Sequence, residues 1–510
     1  MLLNTLLGCL IFLITNLSLL YISHLFVRRF LADAPASIRL VSTGLLFYAL
    51  IILIFQILSP FHAISKTWVT ISCLLPALLL HFTWGEKRNL QADLAPVRLW
   101  VRDGLSSKWA LLLVVAGFVV FLAFSQALLT PPLGVDCLKY HLTFAALWIK
   151  KGTLLFLKAP DDFTMAMHYP INGEIIASWL LLPFHNDLLV NIMNFPITLL
   201  GGISCYAIAR ELGLTRKEAS FVPALICFAP VVFAQITTQY VDSAVFAFCS
   251  VSVLFAFRYL RKGCLPDFLL SFISAGILLG TKYTAIPLVA IIVIASILKM
   301  ISLANYSHFL KKVLWTVLGL LILCIFGGRQ YIGNMIEAGN PLFPLPITFF
   351  DHEFVEGWPK LEQFSERMQL YDQEHGLDKF TLWEKEYRGF FYLSKTAGPK
   401  FFLFLILAFL SLYAKPRGIP RNSWYFLTVM WSVPIVLFYT NPSTEFNRIG
   451  FFAVGSMRFL IPSLALFTVQ GLVVLKKYSK YFKKIDFFLA VLVTWDLLQV
   501  YKYHLWDIYE

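Results

Sequence analysis

The sequence predicts an all-α integral membrane protein with about fourteen transmembrane helices. Two large loops on the outer face are expected to carry interfacial helices. Of the 510 residues, 59% are hydrophobic and 14% are charged, whereas soluble domains carry about 25% charged residues. Apolar runs of spanning length recur along the chain. The basic residues fall in the short loops between these runs, which is the positive-inside pattern of membrane proteins.

The apolar runs give the predicted spans directly, because a spanning helix needs about 20 apolar residues. The first run lacks a basic n-region and a small-residue cleavage site, so it is predicted to be retained as a span. The runs 267–281 and 400–414 are short. The predicted spans are 2–25, 40–60, 66–84, 109–130, 187–209, 219–237, 240–257, 267–281, 284–303, 313–331, 400–414, 423–440, 459–475 and 485–503.

The orientation follows from the basic loops. With the N-terminus outside, every basic cluster falls on the inner side. These clusters are Arg28-Arg29, Lys87-Arg88, Arg216-Lys217, Arg261-Lys262, Lys311-Lys312, Lys415 with Arg417 and Arg421, and Lys476-Lys477 with Lys483-Lys484. The outer loop 329–398 instead carries eleven acidic residues against seven basic ones. Residues 172–185 are too short to span comfortably and are predicted to be interfacial or re-entrant.

The same assignment divides the chain into five parts. They are N-terminal transmembrane helices (1–130), a first outer loop with interfacial helices (131–186), a transmembrane core (187–328), a second outer loop (329–398) and C-terminal transmembrane helices (399–510).

Several chemistries are not indicated by the sequence. The eight cysteines form no CxxC motif, so neither a disulfide framework nor a zinc site is expected. His352-Glu353 is followed by Phe-Val-Glu and is not HExxH, and no phosphate-binding Gly-rich loop is present. The net charge of +13 lies in the inner loops, so nucleic acid is not an expected partner.

The first outer loop holds the most suggestive polar residues. Asp136 follows the span 109–130, and the apolar residues of 137–151 recur at helical spacing, which predicts an amphipathic interfacial helix. A carboxylate held at the membrane surface suits chemistry on a lipid-borne substrate. Asp136 as an N-cap of that helix is the alternative, and one residue can do both. The other polar residues of this loop are Tyr140, His141, Asp161, Asp162, His168 and Tyr169.

Four charged residues lie at the predicted outer ends of other spans. They are Asp242, Lys282, Arg329 and Arg458. Each alone is explained by a side chain that snorkels to the headgroups. Together, cations on the face that holds Asp136 suit a lipid phosphate, for which arginine offers a bidentate fork and lysine a point charge.

Five segments carry a family resemblance. In order, they are GVDCLKYHLTFAALWIKKGTL, HYPINGEIIASWLLLPF, TTQYVDSAVFAF, LSFISAGILLGTKYTAIPLVA and SMRFLIPSL. They resemble landmarks of the GT-C superfamily of polytopic membrane glycosyltransferases, in the branch with protein O-mannosyltransferases and lipid A aminoarabinose transferases. The resemblance covers about 130–470 and implies a GT-C-like fold.

The resemblance also implies a mechanism. Such enzymes move a sugar from a polyprenyl phosphate to an acceptor on the outer face with inversion. Asp136 matches the general base, Asp242 the acidic residue of a later hairpin, and Lys282 and Arg458 the cations near the donor phosphate. Cys137 departs from the family, where O-mannosyltransferases place a second acidic residue, and this bears on the acceptor.

Chemistry derived from the residues agrees with this mechanism. Displacement at an anomeric carbon builds charge on the leaving phosphate, which Lys282, Arg329 and Arg458 can meet, and needs a base, which Asp136 supplies. The predicted substrate-binding residues are Tyr140, His141, His168, Tyr169 and Asp242. No cofactor is firmly indicated; a divalent metal on Asp136 with Asp161 or Asp162 stays an alternative that the spacing does not favour.

The expected partners are a polyprenyl-phosphate sugar donor, a lipid, glycan or protein acceptor, and the bilayer. An oligosaccharide ligase or polymerase is one alternative, although such enzymes typically use paired loop arginines. A lipid or sugar transporter is the other, against which stands the lack of inverted repeats. The sequon Asn305-Tyr306-Ser307 lies on the predicted inner side, which weakly favours a bacterial inner membrane with the site facing outward.

Overall fold

The fold is described from a computed structural model. It describes residues 2–84, 106–156, 165–302, 309–349, 352–358, 400–413, 418–440, 456–478 and 485–502, with the single residues 98, 102, 370 and 415.

The described part of the chain is almost entirely helical. Its α-helices are α1 (Leu2–Phe30), α2 (Ala36–Leu58), α3 (Lys66–Trp84), α4 (Ala110–Leu129), α5 (Leu142–Lys151), α6 (Asn172–Leu181), α7 (Asn194–Glu211), α8 (Arg216–Ala219), α9 (Phe221–Cys227), α10 (Pro230–Phe233), α11 (Asp242–Lys262), α12 (Leu265–Leu279), α13 (Ile286–Ser302), α14 (Phe309–Gly327), α15 (Arg329–Ala338), α16 (Lys400–Leu410), α17 (Arg421–Thr440), α18 (Ile461–Lys477) and α19 (Ile485–Val500).

Short helical turns and one hairpin complete the description. The 3-10 turns are Ser59–Phe61, Ala166–His168, Val190–Ile192, Tyr283–Ala285 and Ser456–Leu460, and Cys137–His141 is a π-helix. Strands β1 (Ile347–Phe349) and β2 (His352–Val355) pair antiparallel within the predicted second outer loop, with Thr348 opposite Glu353.

Nine helices among the described residues are long and apolar enough to cross a membrane. They are Leu3–Phe30, Ala36–Phe61, Lys66–Trp84, Ala110–Leu129, Val190–Glu211, Asp242–Lys262, Tyr283–Ser302, Phe309–Gly327 and Arg458–Lys477. Two shorter apolar helices, Leu265–Leu279 and Lys400–Leu410, coincide with the two short predicted runs. The chain is therefore an integral membrane protein, and the larger number of fourteen spans stays a prediction.

The predicted span 219–237 is not one continuous helix. The structure divides it into α8, α9 and α10. Ala229 has ψ 129°, outside the helical range, and Pro230 follows it as the first residue of α10. A proline disfavours helical backbone at the residue before it, so the apolar run that suggested one span holds a break. Apolar composition alone did not reveal this break.

Helix α11 lies at the centre of the molecule. It packs against α7, α12 and α18, and nearly all its residues are buried. Helices α1, α4 and α14 instead expose large apolar side chains such as Leu3, Leu111 and Leu321. Exposed apolar surface of this extent suits contact with lipid acyl chains.

Ion pairs tie together the helix ends that the charge rule assigns to the inner side. Glu211 at the end of α7 binds Arg258 and Arg261 near the end of α11. Lys476 at the end of α18 binds Glu218, at 2.5 Å between Nζ and Oε2. Since α11 begins at Asp242, some 20 residues and about 30 Å from this cluster, Asp242 marks the opposite side of the bundle.

Candidate active site

Four charged side chains from distant parts of the chain meet at one end of the bundle. Arg458 Nη2 lies 3.4 Å from Asp136 Oδ2, and Arg458 Nε lies 3.5 Å from Asp242 Oδ2. Lys282 Nζ donates to Asp242 Oδ1 at 2.8 Å. We call Asp136, Asp242, Lys282 and Arg458 the charged cluster. The structure thus brings together four of the residues that the sequence singled out.

Two aromatic rings flank the cations. The guanidinium of Arg458 lies 4.4 Å from the ring centroid of Tyr240 and 5.3 Å from that of Phe459. Lys282 Nζ lies 4.1 Å from the Phe459 centroid. Aromatic faces attract cations electrostatically, so these rings help to hold the two cations in place.

Asp242 is the buried centre of the cluster. Its side chain is 3% exposed, and it is the first residue of α11, where the helix dipole favours a negative charge. Burial lowers the pKa of Lys282, which the adjacent Asp242 carboxylate partly offsets. Because both carboxylate oxygens of Asp242 face cations, its role in the geometry is to hold Lys282 and Arg458.

Asp136 is the accessible carboxylate of the cluster. Its side chain is 34% exposed, and its contact with Arg458 is long for a charge-assisted hydrogen bond. It has helical backbone angles (φ −65°, ψ −32°) and makes no capping hydrogen bond to the helix that follows. The alternative in which Asp136 serves only as a helix cap therefore has no support in the geometry.

Gly134 lies just before Asp136 and packs against Cys137. A Cβ at this position would lie 2.7 Å from Cys137 Sγ, so a larger residue would displace that side chain. The Gly134 carbonyl accepts a backbone hydrogen bond from the Leu138 N–H at 3.0 Å, which begins the helical segment that carries Asp136.

A π-helix follows Asp136. In this segment, Cys137–His141, the Leu142 N–H bonds to the carbonyl of Cys137, five residues back. Widening from 3.6 residues per turn brings residues five apart nearer to one face than in an α-helix. The helix expected over 137–151 is thus present as a π-helix followed by α5, with Phe144, Ala145 and Trp148 buried, and its interfacial position stays a prediction.

His141 is buried against a carboxylate that the sequence did not single out. His141 Nδ1 lies 2.6 Å from Glu174 Oε1, and their side chains are 6% and 4% exposed. Glu174 lies in the first turn of α6. The ring of Tyr140 packs on His141 at 4.2 Å between centroids, and Tyr240 lies edge-on to it at 6.4 Å.

Tyr140 and Tyr169 form an aromatic wall beside the charged cluster. Their ring centroids are 6.1 Å apart in an edge-to-face arrangement, and Tyr169 packs in the same way on Tyr283 at 6.0 Å. Burial raises the pKa of Tyr140 and of Tyr169, and the negative charge of Asp136 adds to both shifts. Both phenols therefore keep their protons and can donate hydrogen bonds.

His168 belongs to a different network. Its Nδ1 lies 2.9 Å from Asn334 Oδ1, and its carbonyl accepts from Tyr283 Oη at 2.6 Å and from Asn334 Nδ2 at 3.0 Å. Burial lowers the pKa of His168, opposed by the Asn334 hydrogen bond. The network joins the first outer loop to α15, so the visible contacts of His168 are structural.

Arg329 also has contacts apart from the charged cluster. Its Nη2 donates to the Leu154 carbonyl at 2.8 Å and to Ser59 Oγ at 3.3 Å. In the described part of the chain, no hydrogen bond or ion pair joins Arg329 to Asp136 or Asp242, the carboxylates that contact Lys282 and Arg458. Two of the three cations therefore share the carboxylates of the charged cluster, while Arg329 ties the start of α15 to the first outer loop.

Buried asparagines build the loops that carry the site. Asn194 Nδ2 donates to the carbonyls of Gln235, Thr238 and Tyr240, which fixes the hairpin before Asp242. Asn172 Nδ2 donates to the carbonyls of Ile277 and Phe326. Its backbone N–H bonds to the Gly280 carbonyl at 2.8 Å, beside the turn that carries Lys282. Asn172 thus pairs with carbonyls near the C-terminal ends of α12 and α14, which a helix end leaves without an intrahelical partner, whereas Asn194 pairs with carbonyls of the hairpin itself.

Among the described residues, no group of three or more His, Cys, Asp or Glu side chains is arranged to hold a metal ion. Asp161 and Asp162, the two ligands suggested beside Asp136, lie outside the described residues.

Sequence reasoning did not identify three features that the structure shows. Tyr240 and Glu174 lie within segments that carry the family resemblance, but nothing in the sequence indicates which residues they contact. The third is a buried ion pair between Lys400 and Asp496, with side chains 2% and 1% exposed. A carboxylate within the apolar run 485–503 was the available signal for it, since such residues are costly in a membrane.

Comparison with known proteins supports one family. No curated protein and no solved structure matches the chain. One family model matches residues 171–328. This segment includes Asp242, Lys282 and Glu174, while Asp136 and Arg458 lie on either side of it in the sequence. The resemblance seen in the sequence is confirmed for this segment: residues 171–328 match the dolichyl-phosphate-mannose-protein mannosyltransferase family, a glycosyltransferase domain of the GT-C type.

Proposed function

We propose that the protein is an inverting glycosyltransferase that moves a sugar from a polyprenyl phosphate to an acceptor hydroxyl on the outer membrane face. The family match supports glycosyl transfer of the mannosyltransferase type. The observation that carries the proposal is the meeting of an accessible carboxylate, Asp136, with two cations, Lys282 and Arg458, anchored by a buried Asp242.

In the proposed reaction, the acceptor hydroxyl loses its proton to Asp136 as its oxygen bonds to the anomeric carbon. The bond between that carbon and the phosphate oxygen breaks on the opposite face of the sugar, which inverts the configuration. The leaving polyprenyl phosphate gains negative charge, which Arg458 and Lys282 stabilise in a partly desolvated site.

Burial distinguishes the roles of the two carboxylates. Asp242 is 3% exposed, whereas Asp136 is 34% exposed. A general base must reach the proton that it removes, so Asp136 is assigned as the base. Asp242 is assigned as the group that holds both cations toward the donor phosphate.

The cluster is electrically balanced before the donor binds. Two carboxylates face two cations, and Arg458 lies between Asp136 and Asp242. A donor phosphate that binds Arg458 competes with Asp136 for the same guanidinium. Donor binding would therefore loosen the contact between Arg458 and Asp136 and leave the Asp136 carboxylate available to the acceptor, because the phosphodiester oxygens would share the same guanidinium.

Sugar recognition is assigned to the rings beside the cluster. Tyr140, Tyr169 and His141 offer aromatic faces and hydrogen-bonding groups next to Asp136, and Tyr240 adds a face below Arg458. His168 is assigned a structural role instead of the predicted substrate contact, because its ring and its carbonyl are hydrogen-bonded to Asn334 and Tyr283. Arg329 is likewise assigned to anchoring.

The membrane context supports a lipid-linked donor. The charged cluster lies at helix ends, opposite the end where Glu211 binds Arg258 and Arg261, and the positive-inside rule makes the Glu211 end the inner one. The prenyl chain would run between helices into the bilayer. The acceptor is a lipid, a glycan or a protein, and a bacterial inner membrane is the proposed location.

A direct test uses purified protein in lipid nanodiscs with polyprenyl phosphates that carry mannose, glucose or 4-amino-4-deoxyarabinose. Added membranes from the producing organism supply the acceptor. Wild-type protein is expected to release free polyprenyl phosphate from one donor and to form a product of inverted configuration. A ligase or polymerase would instead consume only oligosaccharide diphosphate donors. A transporter would move its cargo without breaking the sugar–phosphate bond, even with Asp136 replaced.

A further inference from the structure

Glu174, the buried partner of His141, has no role in the reaction outlined above. Glu174 Oε1 contacts His141 Nδ1 at 2.6 Å, while Glu174 Oε2 is buried and has no hydrogen-bond partner in the described part of the chain. A buried carboxylate is costly unless it is paired. His141 is thus the one side chain seen to compensate it in that part.

The pairing sets the chemistry of the imidazole ring. An ionised carboxylate only accepts hydrogen bonds, so Nδ1 of His141 must carry the proton that it shares with Glu174. In the neutral ring, the lone pair then lies on Nε2. A carboxylate that fixes a histidine tautomer in this way is a recurring device in catalytic sites.

The ring so fixed lies beside the charged cluster. His141 is five residues from Asp136 along a helix whose π-geometry brings the two toward a common face. Tyr240 lies edge-on to His141 at 6.4 Å and also under the guanidinium of Arg458 at 4.4 Å. The imidazole is therefore one ring away from the cation that contacts Asp136.

We propose that Glu174 is a positioning residue that holds His141 with Nδ1 protonated, so that Nε2 accepts a hydrogen bond from a substrate hydroxyl next to Asp136. The proposal rests on the function proposed above. The hydroxyl belongs either to the donor sugar or to the acceptor, and both present the same O–H donor. If the pair of His141 and Glu174 served only to link the π-helix to α6, it would need a hydrogen bond but no particular histidine tautomer.

Glu174→Gln separates these two roles. The glutamine amide can still hydrogen-bond Nδ1, so the link between the two side chains survives. Its oxygen can accept from Nδ1 and its NH2 group can donate to Nδ1. The ring is therefore no longer held in one tautomer, and Nε2 is available as an acceptor in only part of the molecules. Glu174→Asp keeps the carboxylate and shortens the reach by one methylene. Asp267→Asn is the matched control, since Asp267 is a buried carboxylate paired with Arg258 at the opposite end of the bundle.

The experiment compares these three variants with wild type in nanodiscs, using the polyprenyl-phosphate sugar that wild type consumes. We expect Glu174→Gln to lower kcat by about 5- to 10-fold, the effect of about one hydrogen bond, at a melting temperature no lower than that of Asp267→Asn. Glu174→Asp should recover part of the activity, and Asp267→Asn should keep it. A near-normal kcat in Glu174→Gln would overturn the proposal and show that the pair only links the π-helix to α6.

A binding measurement then identifies the hydroxyl. Affinities of Glu174→Gln for the sugar-bearing lipid and for the bare polyprenyl phosphate are compared with those of wild type. Loss of the preference for the sugar-bearing lipid assigns the hydroxyl to the donor sugar, and an unchanged preference assigns it to the acceptor. A wild-type protein that consumes none of the donors would defeat the proposed function itself, and this assignment with it.

Discussion

The guanidinium of Arg458 lies between Asp136 and Asp242, with its Nη2 atom 3.4 Å from Asp136 Oδ2 although 322 residues separate these two in the chain. Neither contact is short. A guanidinium has five N–H donors, and contacts of this length to the two carboxylates can be exchanged for shorter ones to a further anion. This relationship links the proposed base to the proposed phosphate site and motivates the first two predictions.

Replacing Asp136 by Asn should lower sugar transfer by about 10²–10⁴-fold, the usual contribution of a positioned general base. The amide keeps the size of the side chain and cannot take up the acceptor proton. Transfer is measured as release of polyprenyl phosphate. The control is Asp187→Asn, which makes the same change at an exposed aspartate outside the charged cluster and should stay active. A well-expressed Asp136→Asn protein with normal turnover would remove the base assignment.

Replacing Arg458 by Ala should weaken binding of a polyprenyl phosphate by about 1.5–3 kcal/mol, which is about 10- to 150-fold in Kd. Arg458→Lys should recover only part of this loss, because the bidentate geometry is absent. Binding is measured in nanodiscs by competition with a fluorescent prenyl phosphate.

The variant Arg329→Ala tests whether the donor-phosphate site includes Lys282 and Arg458 but not Arg329. Because Arg329 donates to Leu154 and Ser59, its removal should lower the melting temperature while leaving the donor Kd within about twofold of wild type, a change well under one hydrogen bond. Equal weakening by both alanine variants would instead restore the three-cation pocket expected from the sequence.

Topology gives a third prediction. An impermeant thiol reagent should label a cysteine placed at Ser365 from outside intact cells, and should not label one placed at Ser107 until the membrane is opened. The reason is that the basic clusters mark one side as inner. The parent protein, with its own eight cysteines, gives the background. The reverse pattern would move the charged cluster to the inner face.

The sequence predicted which helix ends carry charge better than it predicted their partners. Asp136, Asp242, Lys282 and Arg458 stand out because a charge at the end of an apolar run is visible along the chain. The position of a helix around the bundle is not visible in this way. Arg329 was therefore grouped with Lys282 and Arg458 although its own hydrogen bonds go to Ser59 and Leu154. Glu174 was missed although it lies in one of the segments that carry the family resemblance.

The pKa of His168 gives a fourth prediction. Burial lowers it below the ordinary value of 6.5, so the folded state resists a proton that the unfolded state accepts. Stability is then fully present above about pH 6.5 and falls as the pH drops below it. His168→Gln, which keeps an N–H donor toward Asn334, should flatten the fall of melting temperature between pH 7 and 5.

A second histidine must be separated from this effect. Burial and the charge of Lys66 also lower the pKa of His185, which contributes a slope of the same sign. The variant His185→Gln therefore measures how much of the pH dependence of the melting temperature comes from His185. If His168→Gln keeps the full wild-type slope while His185→Gln flattens it, the assignment to His168 is wrong.

The ion pair of Lys400 and Asp496 gives the last prediction, on stability. Lys400 Nζ also donates to the Leu225 carbonyl at 2.5 Å, so three helices, α9, α16 and α19, meet at one buried cation. Removing one partner of such a pair leaves the other charge buried and costs about 3–5 kcal/mol. Lys400→Met and Asp496→Leu alone should therefore each lower the melting temperature and the yield of folded protein.

The double variant decides between a structural and a functional role for this pair. Replacing both charges by apolar side chains removes two desolvation penalties, and such changes are often neutral or stabilising. We expect the double variant to recover the wild-type melting temperature and to transfer sugar at the wild-type rate, because the pair shares no contact with the charged cluster in the described structure. A stable double variant without transfer activity would show instead that the buried lysine takes part in the reaction.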